Sequence, residues 1–235
     1  MAGSKIGVLL SGCGVFDGTE IHEGVFTLYQ LEKNGAQPVC IAPDMEQHHV
    51  LDHRNGSELD QKRNVLVESA RIARGDVRSV EQVERSELDG LAIPGGFGAA
   101  KNLTEWAFKG PEGSIREDVK ALIKGMVEAG KPVGAVCMGP TVVAKALADS
   151  DLNPKVTVGT TASASPYDIN GINEGVKATG ASIEEHEANE MAEDHDHRIA
   201  TAPCYNMEAS IIEVHEGIEK VMKRVAEWAK VGVGA

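Results

Sequence analysis

The sequence predicts an α/β fold in which a mainly parallel sheet is covered by helices on both faces. Two observations predict it. Short apolar runs alternate with longer helix-period patterns along the chain, as strands joined by helical crossovers do. Glycine and proline punctuate that alternation where a strand or helix has to end, as at Gly35, Pro94-Gly95-Gly96 and Gly130.

Residues 5–11 read as a buried first strand. A helix over 20–34 follows, with Val25, Leu28 and Leu31 in its apolar stripe and Gly35 as its stop. Residues 38–42 form a second short strand, and 64–73 are helical. A strand over 88–93 ends at the Pro94-Gly95-Gly96 turn. The helix over 114–129 closes at Gly130. A strand over 132–136 then runs directly into a helix over 138–148. Residues 156–158 give another short strand, and 183–192 and 198–202 pair as a hairpin around 193–197. An amphipathic helix over 208–230 completes the pattern. Segment 43–62 is polar, holds His48, His49 and His53, and reads as a long excursion. With no repeat, low-complexity tract or linker, residues 1–235 read as one domain.

Composition narrows the function. At a formal net charge of -13 the surface repels phosphates, so neither nucleic acid nor an anionic membrane is an expected partner. The apolar run of residues 6–10 is too short to span a bilayer. Cys13, Cys40, Cys137 and Cys204 form no CxxC pair and no zinc spacing, so four free thiols and no structural metal are expected. Glycines and Cys13 follow the run of residues 6–10 with no signal-type cleavage pattern, so a cytoplasmic location is expected.

In such a sheet, ligands bind beyond the carboxyl ends of the strands. Residues 11–18, residues 95–98, Cys137 and the neighbourhood of Cys204 all follow strands and should converge there. The sharpest signal is Gly134-Ala135-Val136-Cys137-Met138-Gly139-Pro140, a cysteine between a strand and a helix with small neighbours. The start of the next helix favours a thiolate at Cys137, and the Met138 amide can face an oxyanion. A buried structural thiol is the competing reading of the same residue. Glycines at 95, 96 and 98 permit close backbone approach and could supply a second oxyanion amide, or form a plain turn. Glu23 could reach the thiol and move protons, or simply complement a helix N-terminus.

Residues 10–23, 63–66, 69–75 and 94–103 together resemble the ElbB-type family. That family lies in the PfpI-type branch of the class I glutamine-amidotransferase-like superfamily. The resemblance implies a single-domain flavodoxin-like three-layer sandwich. It implies a cofactor-free, glutathione-independent glyoxalase of the hydro-lyase type, acting on a small aldehyde such as glyoxal, and a homodimer. It places the nucleophile at Cys137, the partner carboxyl at Glu23 and the oxyanion amides at Gly96 and Met138. Two features depart from the pattern. The elbow continues Met138-Gly139-Pro140 where the close family has Ile-Ala-Pro, and residues 157–165 contain no histidine to complete a triad.

Other readings compete. A redox sensor or interaction protein needs the same activated thiol. A glutaminase needs a His-x-Glu pair, and none of the eight histidines has Glu two residues on. Gly12-x-Gly14-x-x-x-Gly18 misses the dinucleotide spacing by one residue. Cys13 is the rival nucleophile, Cys40 and Cys204 read as core, and His195-Asp196-His197 reads as a solvated turn rather than a metal site.

Overall fold

The computed structural model describes residues 3–231; residues 1–2 and 232–235, the ends of the expected domain, lie outside the described residues. The chain runs β1 (Lys5–Leu9), α1 (Ile21–Lys33), β2 (Gln37–Ala42), α2 (Val65–Ile72), β3 (Arg78–Ser79), β4 (Gly90–Ile93), α3 (Trp106–Lys109), α4 (Glu117–Glu128), β5 (Val133–Val136) and α5 (Gly139–Leu147). It continues with β6 (Lys155–Val156), α6 (Ile169–Ala178), β7 (Ser182–Ile183), β8 (Ala192–Asp194), β9 (Ile199–Ala202) and α7 (Ile211–Val231).

Among the described residues seven strands form one sheet, in the order β3-β2-β1-β4-β5-β9-β8. Every pairing is parallel except β8 with β9. Strands β1, β4, β5 and β9 are almost wholly buried, because helices cover both faces. α1 and α7 pack together, with α7 lying over β4, β5 and β9, while α4 and α5 pack against each other and on β4 and β5. Small residues let the layers close. A Cβ on Gly134 would sit 2.6 Å from Val225, so α7 approaches β5 only because that position has no side chain. This is the predicted flavodoxin-like α/β sandwich.

The chain reverses its direction across the sheet between β1 and β4. A ligand site is expected at the carboxyl edge of such a switch point. The loop after β1 is pinned to the loop after β4: Phe97 N–H donates to Val15 O at 2.7 Å and Gly98 N–H to Gly18 O at 2.8 Å.

Two expectations change. The hairpin arm over 183–192 is divided. Ser182–Ile183 pairs in parallel with Lys155–Val156 in a separate two-stranded sheet, and only Ala192–Asp194 pairs with β9. Residues between them carry Glu187-Ala188-Asn189-Glu190, whose turn contacts end the strand. The helix Ile169–Ala178 was not expected. Gly171 and Gly175 dilute its apolar pattern, but Asp168 caps it by accepting from Gly171 N–H at 3.0 Å, and Ile169 and Val176 are buried. The 43–62 excursion is a loop held by isolated bridges, Glu46 with Asn64 and Leu51 with Glu58.

Candidate active site

The site assembles where β1, β4, β5 and β9 end. Cys137 follows β5 directly and has φ 55, an uncommon conformation for a residue with a side chain. Its N–H still donates to Ala202 O at 3.0 Å, so the β5–β9 ladder fixes the start of the bend. α5 begins two residues later with Pro140 in its first turn. Gly139 is required by contact: a Cβ there would lie 2.4 Å from Ile93 O. The bend therefore presents the sulfur at the sheet edge, 4% exposed.

Glu23 sits in the first turn of α1 and is fully buried. Its Oε2 accepts from Gly95 N–H at 3.0 Å and its Oε1 from Tyr205 N–H at 3.3 Å. Glu20 is the cap of that helix. It accepts from Glu23 N–H at 2.7 Å, and its own N–H donates to Gly95 O at 3.0 Å. α1 is thereby bolted to the β4 turn. Gly95 is the gap between the two reactive groups. A Cβ there would lie 2.7 Å from Glu23 Oε2 and 2.8 Å from Cys137 Sγ. Gly96 has φ 95 and is wedged against Gly18 O and Glu20 N, each 2.4 Å from where its Cβ would be. The backbone amides of Gly96 and Met138 lie near enough to the Cys137 sulfur to favour its anion. All four residues singled out from the sequence thus meet at one point.

Electrostatics follow from burial. Desolvation, and then the charge of Glu20, push the Glu23 carboxyl up to about 8, so it holds a proton at neutral pH. Desolvation, and then any charge on Glu23, push the Cys137 thiol up, while the Gly96 and Met138 amides pull it down. The second of these upward causes disappears when Glu23 is protonated, so the pair titrates as a unit.

Three further residues at the site carry no sequence motif. Asn206 lies in the turn after β9 and accepts from Cys137 Sγ at 3.2 Å. Tyr205 supplies the amide that holds Glu23, and its hydroxyl meets His22 Nδ1 at 2.9 Å. Burial, and then Cys137, Glu23 and Glu20, push the Tyr167 hydroxyl up to about 12, and its ring lines a hollow with Glu20 and Tyr205. Phe16 and Tyr167 separate two hollows at the mouth. One of about 380 Å³ runs past Glu20, Tyr205 and Met207. The other, about 310 Å³, is walled by Leu51, Phe97 and Lys101. A larger hollow of about 510 Å³, lined by Arg85, Gly125 and Lys131, lies at the amino ends of β4 and β5, away from the thiol.

The remaining candidates fall elsewhere. Cys13 is half-buried with Glu68, Arg71, Asp17 and Arg63 as its charged neighbours, and burial raises its thiol. Cys40 is pushed up to about 11, by burial and then Asp76. Cys204 is fully buried in the core, though Glu23 and Cys137 are near enough to act on it. His197 Nδ1 pairs with Asp194 at 2.8 Å, His195 with Glu193 and His186 with Glu184 and Glu190. His48 and His49 pack on Phe108. No group of three or more His, Cys, Asp or Glu side chains able to hold a metal ion occurs among the described residues. No described helix is long and apolar enough to cross a membrane.

Comparison with known proteins agrees with this fold. The human glutamine amidotransferase-like class 1 domain-containing protein 3, mitochondrial, is 37% identical over 226 residues, which cover 95% of this chain and 83% of that protein. The crystal structure of an isoprenoid biosynthesis protein with amidotransferase-like domain from Ehrlichia chaffeensis superposes with a TM-score of 0.86 at 33% identity, covering 96% of this chain and 99% of that one. Glyoxalase III from Candida albicans shares the fold, with a TM-score of 0.58 at 16% identity over 92% of this chain and 95% of its own. The human relative and its rat and zebrafish counterparts are mitochondrial proteins, which corrects the cytoplasmic expectation and points to mitochondria. The DJ-1/PfpI family profile matches residues 13–148, and the chain belongs to that family.

Proposed function

We propose that this protein is a cofactor-free glyoxalase, converting glyoxal or methylglyoxal to the 2-hydroxy acid through a hemithioacetal on Cys137. The observation that carries the reading is the meeting of a buried carboxyl group and a sulfur across Gly95, with Glu23 Oε2 and Cys137 Sγ 2.7 and 2.8 Å from where its Cβ would be and the Gly96 and Met138 amides beside the sulfur. The fold likeness to glyoxalase III is in keeping with it. In the proposed reaction, sulfur adds to one aldehyde carbon and the oxyanion rests on the two amides until protonated. Glu23 then gives its own proton to the neighbouring carbonyl oxygen and takes the proton of the carbon bearing sulfur, and the enediol so formed moves one hydroxyl proton to its other carbon to become a 2-hydroxy thioester. Water cleaves that thioester and returns the thiol. Overall one water is consumed and no electrons leave the substrate, so neither metal, nucleotide nor glutathione enters.

A single domain over 1–235 and a homodimer belong to the same proposal. One large contiguous core cluster supports the first, and the family, whose members are commonly dimeric, supports the second. The test is glyoxal turnover by wild type and Cys137→Ala. Complete loss in the variant is expected; wild-type rates would end the proposal. A redox role is the second reading, favoured by the same two amides, which would hold the oxygens of an oxidised sulfur equally well. Selective peroxide oxidation of Cys137 with negligible aldehyde turnover would favour it.

A further inference from the structure

Asn206 has no part in the chemistry above, yet its side chain is fully buried against the reactive sulfur. Its orientation is fixed by its partners. Nδ2 donates to Cys137 O at 2.7 Å and to Val158 O at 3.0 Å. Turning the amide over would set Oδ1 against two carbonyl oxygens, so the nitrogen has to stay where it is. Oδ1 must then face the sulfur, and Cys137 Sγ donates to it at 3.2 Å. An amide oxygen accepts and never donates. It stabilises the S–H form and presents only lone pairs to a thiolate.

The surroundings make that one bond decisive. The Gly96 and Met138 amides favour the anion. The titratable groups around the sulfur are Glu23 of α1, Tyr167 and Cys204, with Glu20 and Tyr205 acting behind Glu23. An ionised Glu23 also accepts the thiol proton and raises the thiol, and that acceptor is lost when Glu23 carries its own proton. The thiol hydrogen is then left with Asn206 Oδ1 as its acceptor.

We propose that Asn206 is a positioning residue that keeps Cys137 protonated and in one rotamer until an aldehyde displaces the S–H···Oδ1 bond. The inference rests on Cys137 being the reactive thiol and is indifferent to which aldehyde arrives. When the S–C bond forms, the thiol proton leaves Oδ1 and ends on the hemithioacetal hydroxyl; Asn206 neither gains nor loses a proton, and no oxidant is needed. The resting sulfur is thereby shielded from alkylation and oxidation.

The experiment is the pH dependence of iodoacetamide alkylation at Cys137, read by mass spectrometry, with Asn206→Ala, Ser165→Ala and wild type. Loss of the accepting oxygen should lower the midpoint in Asn206→Ala by about one pH unit, or about tenfold more thiolate at a given pH below it. Ser165 Oγ donates to Asn206 O at 2.6 Å, so Ser165→Ala loosens the same turn without removing Oδ1, and its midpoint should stay at the wild-type value. An unchanged or raised midpoint in Asn206→Ala overturns the proposal, as does an equal fall in Ser165→Ala. Should Asn206→Ala not fold, the infrared S–H stretch of wild type, identified by its loss in Cys137→Ala, takes its place. A band displaced from the free-thiol position supports the bond, and a band at that position refutes it. Glyoxal turnover is measured alongside; its absence in wild type, with the midpoint shift intact, would sink the glyoxalase reading alone.

Discussion

Gly95→Ala tests the spacing on which the site depends. The added Cβ would lie 2.5 Å from Cys137 Cβ, 2.7 Å from Glu23 Oε2 and 2.8 Å from Cys137 Sγ. None of these neighbours can give way easily. Cys137 Cβ is fixed to a backbone whose N–H is bonded to Ala202 O, and the Glu23 carboxyl is pinned by two amides. Reaching an ordinary contact of 3.4 Å requires the pair to open by about 0.9 Å. Overpacking of this kind costs about 1–3 kcal/mol. For a chain of this size that is a fall in Tm of about 2–12 °C. A misplacement near 1 Å between reacting groups costs about 100-fold in rate. Calorimetry and glyoxal kcat/KM on the purified variant measure both. A variant with wild-type Tm and kcat/KM within about twofold of wild type would show that Glu23 and Cys137 do not need this gap, and the two-group site would be wrong.

Two further outcomes are expected. Glu23 titrates at about 8 in the folded protein against 4.5 for an ordinary glutamate, so between those values the folded state holds a proton that the unfolded chain has released. Wild-type stability should therefore fall as pH rises through that window, by up to about 1.4 kcal/mol per pH unit, while Glu23→Gln escapes the loss; urea melts at about pH 5, 7 and 9 check it, and a pH-independent difference would refute it. Tyr167 walls both hollows at the mouth, so Tyr167→Ala should raise KM for phenylglyoxal about tenfold while leaving glyoxal within about twofold, and equal changes for both would remove that role.

The parts of the site written into one stretch of chain could be read from the sequence. A cysteine between a strand and a helix, flanked by Ala135 and Gly139, marks a bend tight enough to need small neighbours, and the glycines at 95 and 96 follow a strand that had to turn. Glu23 was ambiguous from sequence because acids are common in first helical turns. Its position is resolved only by the amides of Gly95 and Tyr205, which lie 72 and 182 residues away. Asn206, Tyr205 and Tyr167 could not be found, since a lone Asn or Tyr in a loop has no spacing to betray it. The signal that pointed near them was positional: Cys204 closes the strand beside β5, and Asn206 stands two residues beyond. The hairpin expectation failed at Ile183 for a related reason. A two-residue pairing with Lys155–Val156 is too short to leave a periodicity.

The two outer strands of the main sheet are its shortest, two residues in β3 and three in β8. On the β8 border an incoming strand would find too few free amides and carbonyls to zip onto; on the other, β3 covers only Ile41 and Ala42 of β2, and Pro38 interrupts the open stretch of residues 37–40. One border is also occupied, since Asp194 Oδ2 on β8 accepts Lys155 N–H at 2.9 Å and draws β6 alongside. The strands buried along nearly their whole length, β1, β4, β5 and β9, lie inside these borders. Growth of aggregates therefore has to wait for the sheet to open, which ties the solubility of this chain to its unfolding rate more than to the charge on its surface.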